Sequence, residues 1–150
     1  MAEAVFRDYD QAALDWEYDN RRQVGDAMDY VAAYTANSEA TRLAMPGQLG
    51  VAFGPSPAET LDIFPPSTGT AGKAPVHIFI HGGYWRAMSK DEFSFAARAF
   101  APFGAITVVI NYALVPAVDF DELVRQCRSA VAWTWKHAGD FGGVLPGPGH

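Results

Sequence analysis

The sequence predicts an α/β fold in which an antiparallel hairpin leads into a parallel sheet. Three observations carry this. Val76–Ile80 (VHIFI) and Ala105–Ile110 (AITVVI) are short, continuous, β-branched runs, as expected of strands covered on both faces. Each is followed by a helix-start signature, Ser89 with Glu92 and Asp119 with Glu122, and then by apolar residues at helical spacing. Ahead of them, two more strand-like runs flank a Gly/Pro turn.

The elements follow in order. Residues 9 to 20 read as a short helix with Ala13, Leu14, Trp16 and Tyr18 among acids. A second helix runs from about Asp26 to Met45, with Met28, Val31, Ala32, Thr35 and Ala36 on its stripe, and Pro46-Gly47 end it. LGVAF (Leu49–Phe53) and ETLDIF (Glu59–Phe64) form the hairpin around the GPSP turn, the second strand alternating as a half-buried strand does. PPSTGTAGKAP (residues 65–75) is a surface loop. After Val76–Ile80 a helix capped at Ser89 carries Phe93, Ala96, Ala97 and Phe100 and ends near Gly104. After Ala105–Ile110 a helix from Asp119 carries Phe120, Val124, Cys127, Val131 and Trp135 on one face. This βαβα spacing implies parallel strands with a right-handed crossover. The expected organisation is one domain over 1–150: an N-terminal helical segment (1–48), sheet and helices (49–143), and an irregular tail (144–150) rich in Pro and Gly.

Composition narrows the function. Hydrophobic residues make up 49% and charged residues 19% of 150, which is globular, and no apolar run approaches the roughly 20 residues of a membrane span. Net charge is −6 with no Lys/Arg cluster, so a nucleic-acid partner is not expected. The acidic N-terminus has no basic or apolar signal region, and the expectation is a cytoplasmic protein. The lone Cys127 and the absence of zinc-ligand spacing imply neither disulfide nor metal, and no organic cofactor motif is present.

The informative stretch is HGGYW, His81 to Trp85, at the end of a buried strand, where open α/β sheets bind ligands. Adjacent glycines leave backbone N–H groups free to face a substrate, although a tight turn also uses such a pair. A phosphate cradle fits poorly, since neither G-x-x-x-x-G-K-[ST] nor G-x-G-x-x-G occurs.

HGGYW after an apolar strand resembles the HGGG-type oxyanion loop of α/β-hydrolases related to lipases and esterases. Its Tyr-Trp ending is similar to the kynurenine formamidase (arylformamidase) branch. ETLDIFPP before it, and SKDEFSFAARAFAPFGAITVVINYALVP and DFDELVRQCRSAVAWTWKHAGDFGG after it, agree in order, so the resemblance covers roughly residues 9 to 143. It implies hydrolysis of a small aryl formamide, such as N-formylkynurenine, or of a carboxylic ester. It also implies that the N–H groups of Gly82, Gly83 and Tyr84 are the oxyanion donors and that His81 fixes the loop. Trp85 and Tyr112 either line an aromatic pocket or belong to the core, and Asn111 caps a turn.

The resemblance also requires a serine on a G-x-S-x-G elbow, then an acid and a histidine. GPSPA at Ser56 precedes the loop and lacks the final glycine, and Ser129 lies within a helix. His137 and His150 follow with no nucleophile to serve. Cys127 reads as a buried thiol, and Asp119, Asp121 and Glu122 as cap and first-turn charges. The sequence therefore resembles the N-terminal half of such a fold, stopping before the nucleophile strand, and little triad-type turnover is expected of it. In the family's strand order the nucleophile strand lies beside Val76–Ile80, so an open sheet edge and association between copies are expected. A non-catalytic binding module on a hydrolase scaffold and an incomplete gene product remain the alternatives.

Overall fold

The computed structural model describes residues 3–69 and 74–144. The chain divides into two compact units, Met1–Ala33 and Tyr34–His150. The division falls inside a helix, whose second half packs with the sheet.

In the first unit, helix α1 (Gln11–Tyr18) is capped by Asp10, whose carboxylate accepts from the Ala13 N–H at 2.9 Å. A single turn, α2 (Asn20–Gln23), follows, and α3 (Ala27–Ala44) begins. The stripe expected on α3 is rotated: Met28, Ala32 and Ala36 are exposed, while Val31, Tyr34, Thr35, Ser38 and Thr41 turn inward. Polar Ser38 and Thr41 serve there because each is satisfied. Ser38 Oγ accepts from the Phe95 N–H, and Thr41 Oγ1 donates to the Asn37 carbonyl.

The second unit is built on strands β1 (Gln48–Ala52), β2 (Thr60–Phe64), β3 (Ala74–Ile80), β4 (Ile106–Ile110) and β5 (Gly143–Val144), ordered β1-β2-β4-β3-β5. The hairpin β1–β2 and the pair β2–β4 are antiparallel. β3 runs parallel to both β4 and β5. Residues 70–73 of the expected surface loop lie outside the described residues.

Four expectations need correction. First, β2 does not alternate: Leu61, Asp62, Ile63 and Phe64 are all buried, since β2 is an interior strand with a packed layer on each face. Leu61 and Ile63 join Ile106, Val108, Ile110 and Ala130 on one face. Phe64 joins Phe93, Ala97 and Val109 on the other.

Second, the helix after Ser89 is broken into 3₁₀ turns at Lys90–Glu92 and Ser94–Ala96, an α-turn α4 (Ala97–Phe100), and a 3₁₀ turn at Ala101–Phe103. Phe93 and Phe95 both reach Tyr34 on α3, and one regular helix does not point i and i+2 the same way. The Ser89/Glu92 capping box and the Gly104 stop are present as expected.

Third, helix α5 (Phe120–His137) buries Leu123, Gln126, Ala130 and Thr134, not the large apolar stripe. Phe120, Val124, Val131 and Trp135 are exposed, and Cys127 is half-buried. Small Ala130 and Thr134 let the helix lie close to the sheet. Gln126 is satisfied by the Ala113 N–H and the Glu122 carboxylate.

Fourth, Val144, expected in the irregular tail, is a strand residue. Gly143 and Val144 pair with Ala74 and Pro75 of β3. Gly143 is needed there, since a Cβ would sit 2.5 Å from Val76 Cγ2. Residues 145–150 of the tail, with His150, lie outside the described residues. No helix among the described residues is long and apolar enough to cross a membrane.

Leu61 is fully buried and Leu43 is 90% exposed. Leu61→Ala should lower the urea unfolding free energy by about 2–5 kcal/mol, while Leu43→Ala should stay within about 0.5 kcal/mol of wild type.

Candidate active-site loop

Parallel pairing of Val76–Ile80 with Ile106–Ile110 brings two strand ends together: His81 follows β3, and Asn111 and Tyr112 follow β4. The segment from Gly82 to Met88 then crosses the carboxyl rim of the sheet before the Ser89 cap.

His81 is buried. Its Nδ1 lies 2.8 Å from the Gly82 carbonyl oxygen, which only accepts, so Nδ1 carries the proton. Nε2 is then a bare acceptor with no partner among the described residues. The imidazole stacks on Tyr112 at 4.2 Å and 5°, with Phe93 beyond at 5.9 Å. Tyr112 donates its hydroxyl to the His81 carbonyl at 2.7 Å, and burial, aided by the nearby Cys127, pushes its phenol up to about 12. Tyr112 is therefore a permanent donor beneath the loop. It supports the loop and is not part of an exposed aromatic wall.

Above this base the backbone is strained. Gly83 has φ +120°, and the non-glycine residues Tyr84, Trp85 and Met88 have φ of 54°, 60° and 70°. For the three non-glycine residues such values cost of order 1–3 kcal/mol each, and they cluster where function over-determines geometry. Gly83 is obligatory: a Cβ would meet the Ala87 carbonyl oxygen at 2.0 Å, and that turn is closed by Arg86 and Ala87 N–H groups donating to the Gly83 carbonyl. Among the described residues, the N–H groups of Gly82, Gly83 and Tyr84 donate to no acceptor. Trp85 is 44% exposed and meets Phe120 edge-to-face at 5.2 Å. Its carbonyl accepts from the Val115 N–H at 2.9 Å.

The other sequence candidates sit apart from this chemistry. Asn111 caps: its side chain accepts from the Lys90 N–H and donates to the Ala58 carbonyl. The Ser56 N–H donates to Glu59 in the β1–β2 turn, and Ser129 accepts from Arg125 on α5. His137 pairs with Asp140 at 2.8 Å. Asp119 caps α5 through the Glu122 N–H, Asp121 lies in its first turn, and Glu122 binds Arg125. Burial pushes the Cys127 thiol up, away from thiolate reactivity. Among the described residues no serine or cysteine is hydrogen-bonded to a histidine, and no cluster of His, Cys, Asp and Glu has metal-holding geometry.

Two buried carboxylates escaped sequence reading. Asp62 on β2 is fully buried and paired with Lys90 at 3.0 Å. Glu59 is paired with Arg125 at 2.8 Å. Burial alone would raise Glu59, but the Ser56 N–H and the Arg125 guanidinium outweigh it and hold the carboxyl below its ordinary range. An acid inside a strand-like run is the only sequence signal either offers.

Two predictions follow from this geometry. Nothing lies within 4 Å of a Cβ at Gly82, so Gly82→Ala should leave the thermal midpoint nearly unchanged. Gly83→Ala should cost about 1–3 kcal/mol and broaden the loop amides in NMR spectra. Burial lowers both His77, stacked on Phe100, and His81 from the ordinary 6.5, the latter despite opposing help from Gly82, Glu92 and Asn111. The unfolded chain therefore takes up these protons first, and stability present above pH 6.5 is lost below it. Glu59 and Glu122, the latter lowered to about 2 mainly by Arg125, add a second loss below 4.5. Urea midpoints should fall from about pH 7 to about pH 5, and His77→Phe, which keeps the stack, should reduce that slope.

The proteins to which the chain is similar include hydrolases. It is 34% identical over 102 residues to a kynurenine formamidase of Danio rerio, covering 68% of this chain and 34% of that protein. It is 32% identical over 127 residues to the carboxylic ester hydrolase LipN of Mycobacterium tuberculosis, covering 79% of this chain and 33% of that protein. The chain thus spans about a third of the length of these curated relatives. A crystal structure described as a candidate thioesterase from silicibacter sp. tm1040 superposes with a TM-score of 0.73 at 27% identity, over 80% of this chain and 45% of that one. The fold is thus that of an α/β-hydrolase, formamidase- and esterase-like. The BD-FAE family model matches residues 61–143, from the middle of β2 to the start of β5, and the chain belongs to that family.

Proposed function

We propose that this chain supplies the oxyanion-stabilising half of an acyl-hydrolase site for a small aryl formamide or carboxylic ester. The observation that carries the reading is the run of three consecutive amides, Gly82, Gly83 and Tyr84, without acceptors among the described residues at the carboxyl end of a parallel strand. Donors fixed there stabilise the negative oxygen that develops when a carbonyl is attacked, and removing one typically costs on the order of 2.7–4 kcal/mol of barrier lowering. His81 and Tyr112 hold the loop, and Trp85 with Phe120 flanks it. The attacking serine and its acid and histidine are not among these 150 residues, so the chain binds the carbonyl and does not turn it over. No metal or organic cofactor enters this chemistry. With millimolar formanilide, the Gly83 and Tyr84 amide resonances of the ¹⁵N-labelled chain should shift. The chain should neither hydrolyse p-nitrophenyl acetate above buffer nor take up a fluorophosphonate. Stoichiometric labelling, or loop amides indifferent to formanilide, would falsify the reading.

A second reading concerns association. Among the described residues, β5 pairs with Ala74 and Pro75 of β3, and Ile80 is 48% exposed. Together with Cys127, Val131 and Trp135 of α5 it lines an apolar groove of about 530 Å³. We propose that two copies bury these faces together, as open strand edges favour. Sedimentation velocity at micromolar concentration should show a dimer, and a monomer there would exclude it.

A further inference from the structure

We propose that Lys90 is a positioning residue for the Gly82–Met88 loop, acting through its buried ion pair with Asp62. The inference rests on the reading of that loop as an oxyanion site. It concerns the limb of the loop that HGGYW does not contain. The entry limb is held by His81 and Tyr112. The exit limb reaches Met88, with φ +70°, and then Ser89 and Lys90.

Lys90 is where that limb is fastened. Its Nζ lies 3.0 and 3.1 Å from the two carboxylate oxygens of Asp62, whose side chain is wholly buried in β2. Its backbone N–H donates to Asn111 Oδ1 at 3.3 Å, at the end of β4. One residue thus ties the loop's exit to two interior strands. Asp62 is in turn held by the Gly50 N–H of β1 at 2.8 Å, a bond independent of Lys90. Burial of the ammonium works against its charge, but the bonds to Asp91 and Asp62 outweigh this and raise Lys90 above its ordinary value. The ammonium therefore keeps its charge at neutral pH.

Positive φ at Gly83, Tyr84, Trp85 and Met88 makes the loop prone to relax if either limb is freed. A second ion pair, between buried Glu59 and the exposed Arg125, joins the β1–β2 turn to α5 and touches neither limb. It is the internal control for general loss of stability.

The test compares ¹⁵N-labelled wild-type, Lys90→Met, Arg125→Met and Asp62→Asn/Lys90→Met chains. Lys90→Met should displace the Gly82, Gly83 and Tyr84 amide resonances and abolish their response to formanilide. Arg125→Met, although it lowers the thermal midpoint, should leave both unchanged. In Asp62→Asn/Lys90→Met no buried charge is left unpaired, so the thermal midpoint should recover toward wild type while the loop amides stay displaced. Loop amides at wild-type positions in either Lys90 variant, or displaced equally by Arg125→Met, would overturn the assignment. If the wild-type loop ignores formanilide yet Lys90→Met displaces it, the positioning role holds and the oxyanion reading fails.

Discussion

Five residues of β3 paired in parallel with five of β4, from Val76–Ile106 to Ile80–Ile110, fix everything that follows in this molecule. Parallel strands end at the same rim, so the residues that leave them meet there. His81 and Tyr112 are 31 positions apart in the chain yet stack at 4.2 Å because both strands stop at one level. The register also sorts the faces. Val76, Ile78 and Ile80 alternate with His77, Phe79 and His81, so one face of β3 looks toward α5 and the other toward the Phe93 cluster. A one-residue slip would exchange the two sets and carry His81 away from Tyr112 and Phe93. The loop's chemistry is thus a consequence of strand register before it is a property of its glycines.

Polar groups inside the sheet unit are arranged to support that rim. Asp62 and Glu59 both lie on or beside β2, both are desolvated, and each has a cation from a distant segment. A buried ion pair recovers little net stability relative to a well-packed apolar pair, but leaving one member alone is expensive. Such pairs therefore act as keys: a conformation that fails to bring Lys90 or Arg125 home leaves a bare carboxylate in the core. Lys90 locks the loop's exit, and Arg125 locks α5 against the β1–β2 turn. His81 follows the same logic with a neutral group. Its ring is buried between aromatic faces, one nitrogen satisfied by the loop's own carbonyl.

The sequence made legible whatever depends on local pattern. Strands β1 to β4 were readable because apolar, strand-length runs bounded by turn residues have few alternatives. Ser89 and Asp119 announced themselves as caps, and both cap. Where side chains are chosen by distant partners, pattern misled. Phe93, Ala96, Ala97 and Phe100 have helical spacing, but Tyr34 draws in both Phe93 and Phe95 and the helix breaks. The α5 stripe is a genuine amphipathic signal that points away from the sheet, because the close approach belongs to Ala130 and Thr134. Asp62 was invisible, since one acid in a strand does not reveal a lysine 28 residues on. For the site, HGGYW marked the loop, while the strain at Trp85 and Met88 and the anchorage at Lys90 needed coordinates.

The exposed α5 stripe and the open part of β3 are one surface. Cys127, Val131 and Trp135 line one groove with Ile80, the last strand residue before His81. Apolar side chains spaced so regularly along a helix are costly to leave in water, at about 25 cal/mol per Å², so the sequence is written for a covered face. β5 already starts along it in parallel with β3, held close by Gly143. A strand continuing in that direction would end at the rim where the Gly82–Tyr84 amides lie free. The position that completes the packing is therefore also the position beside that loop.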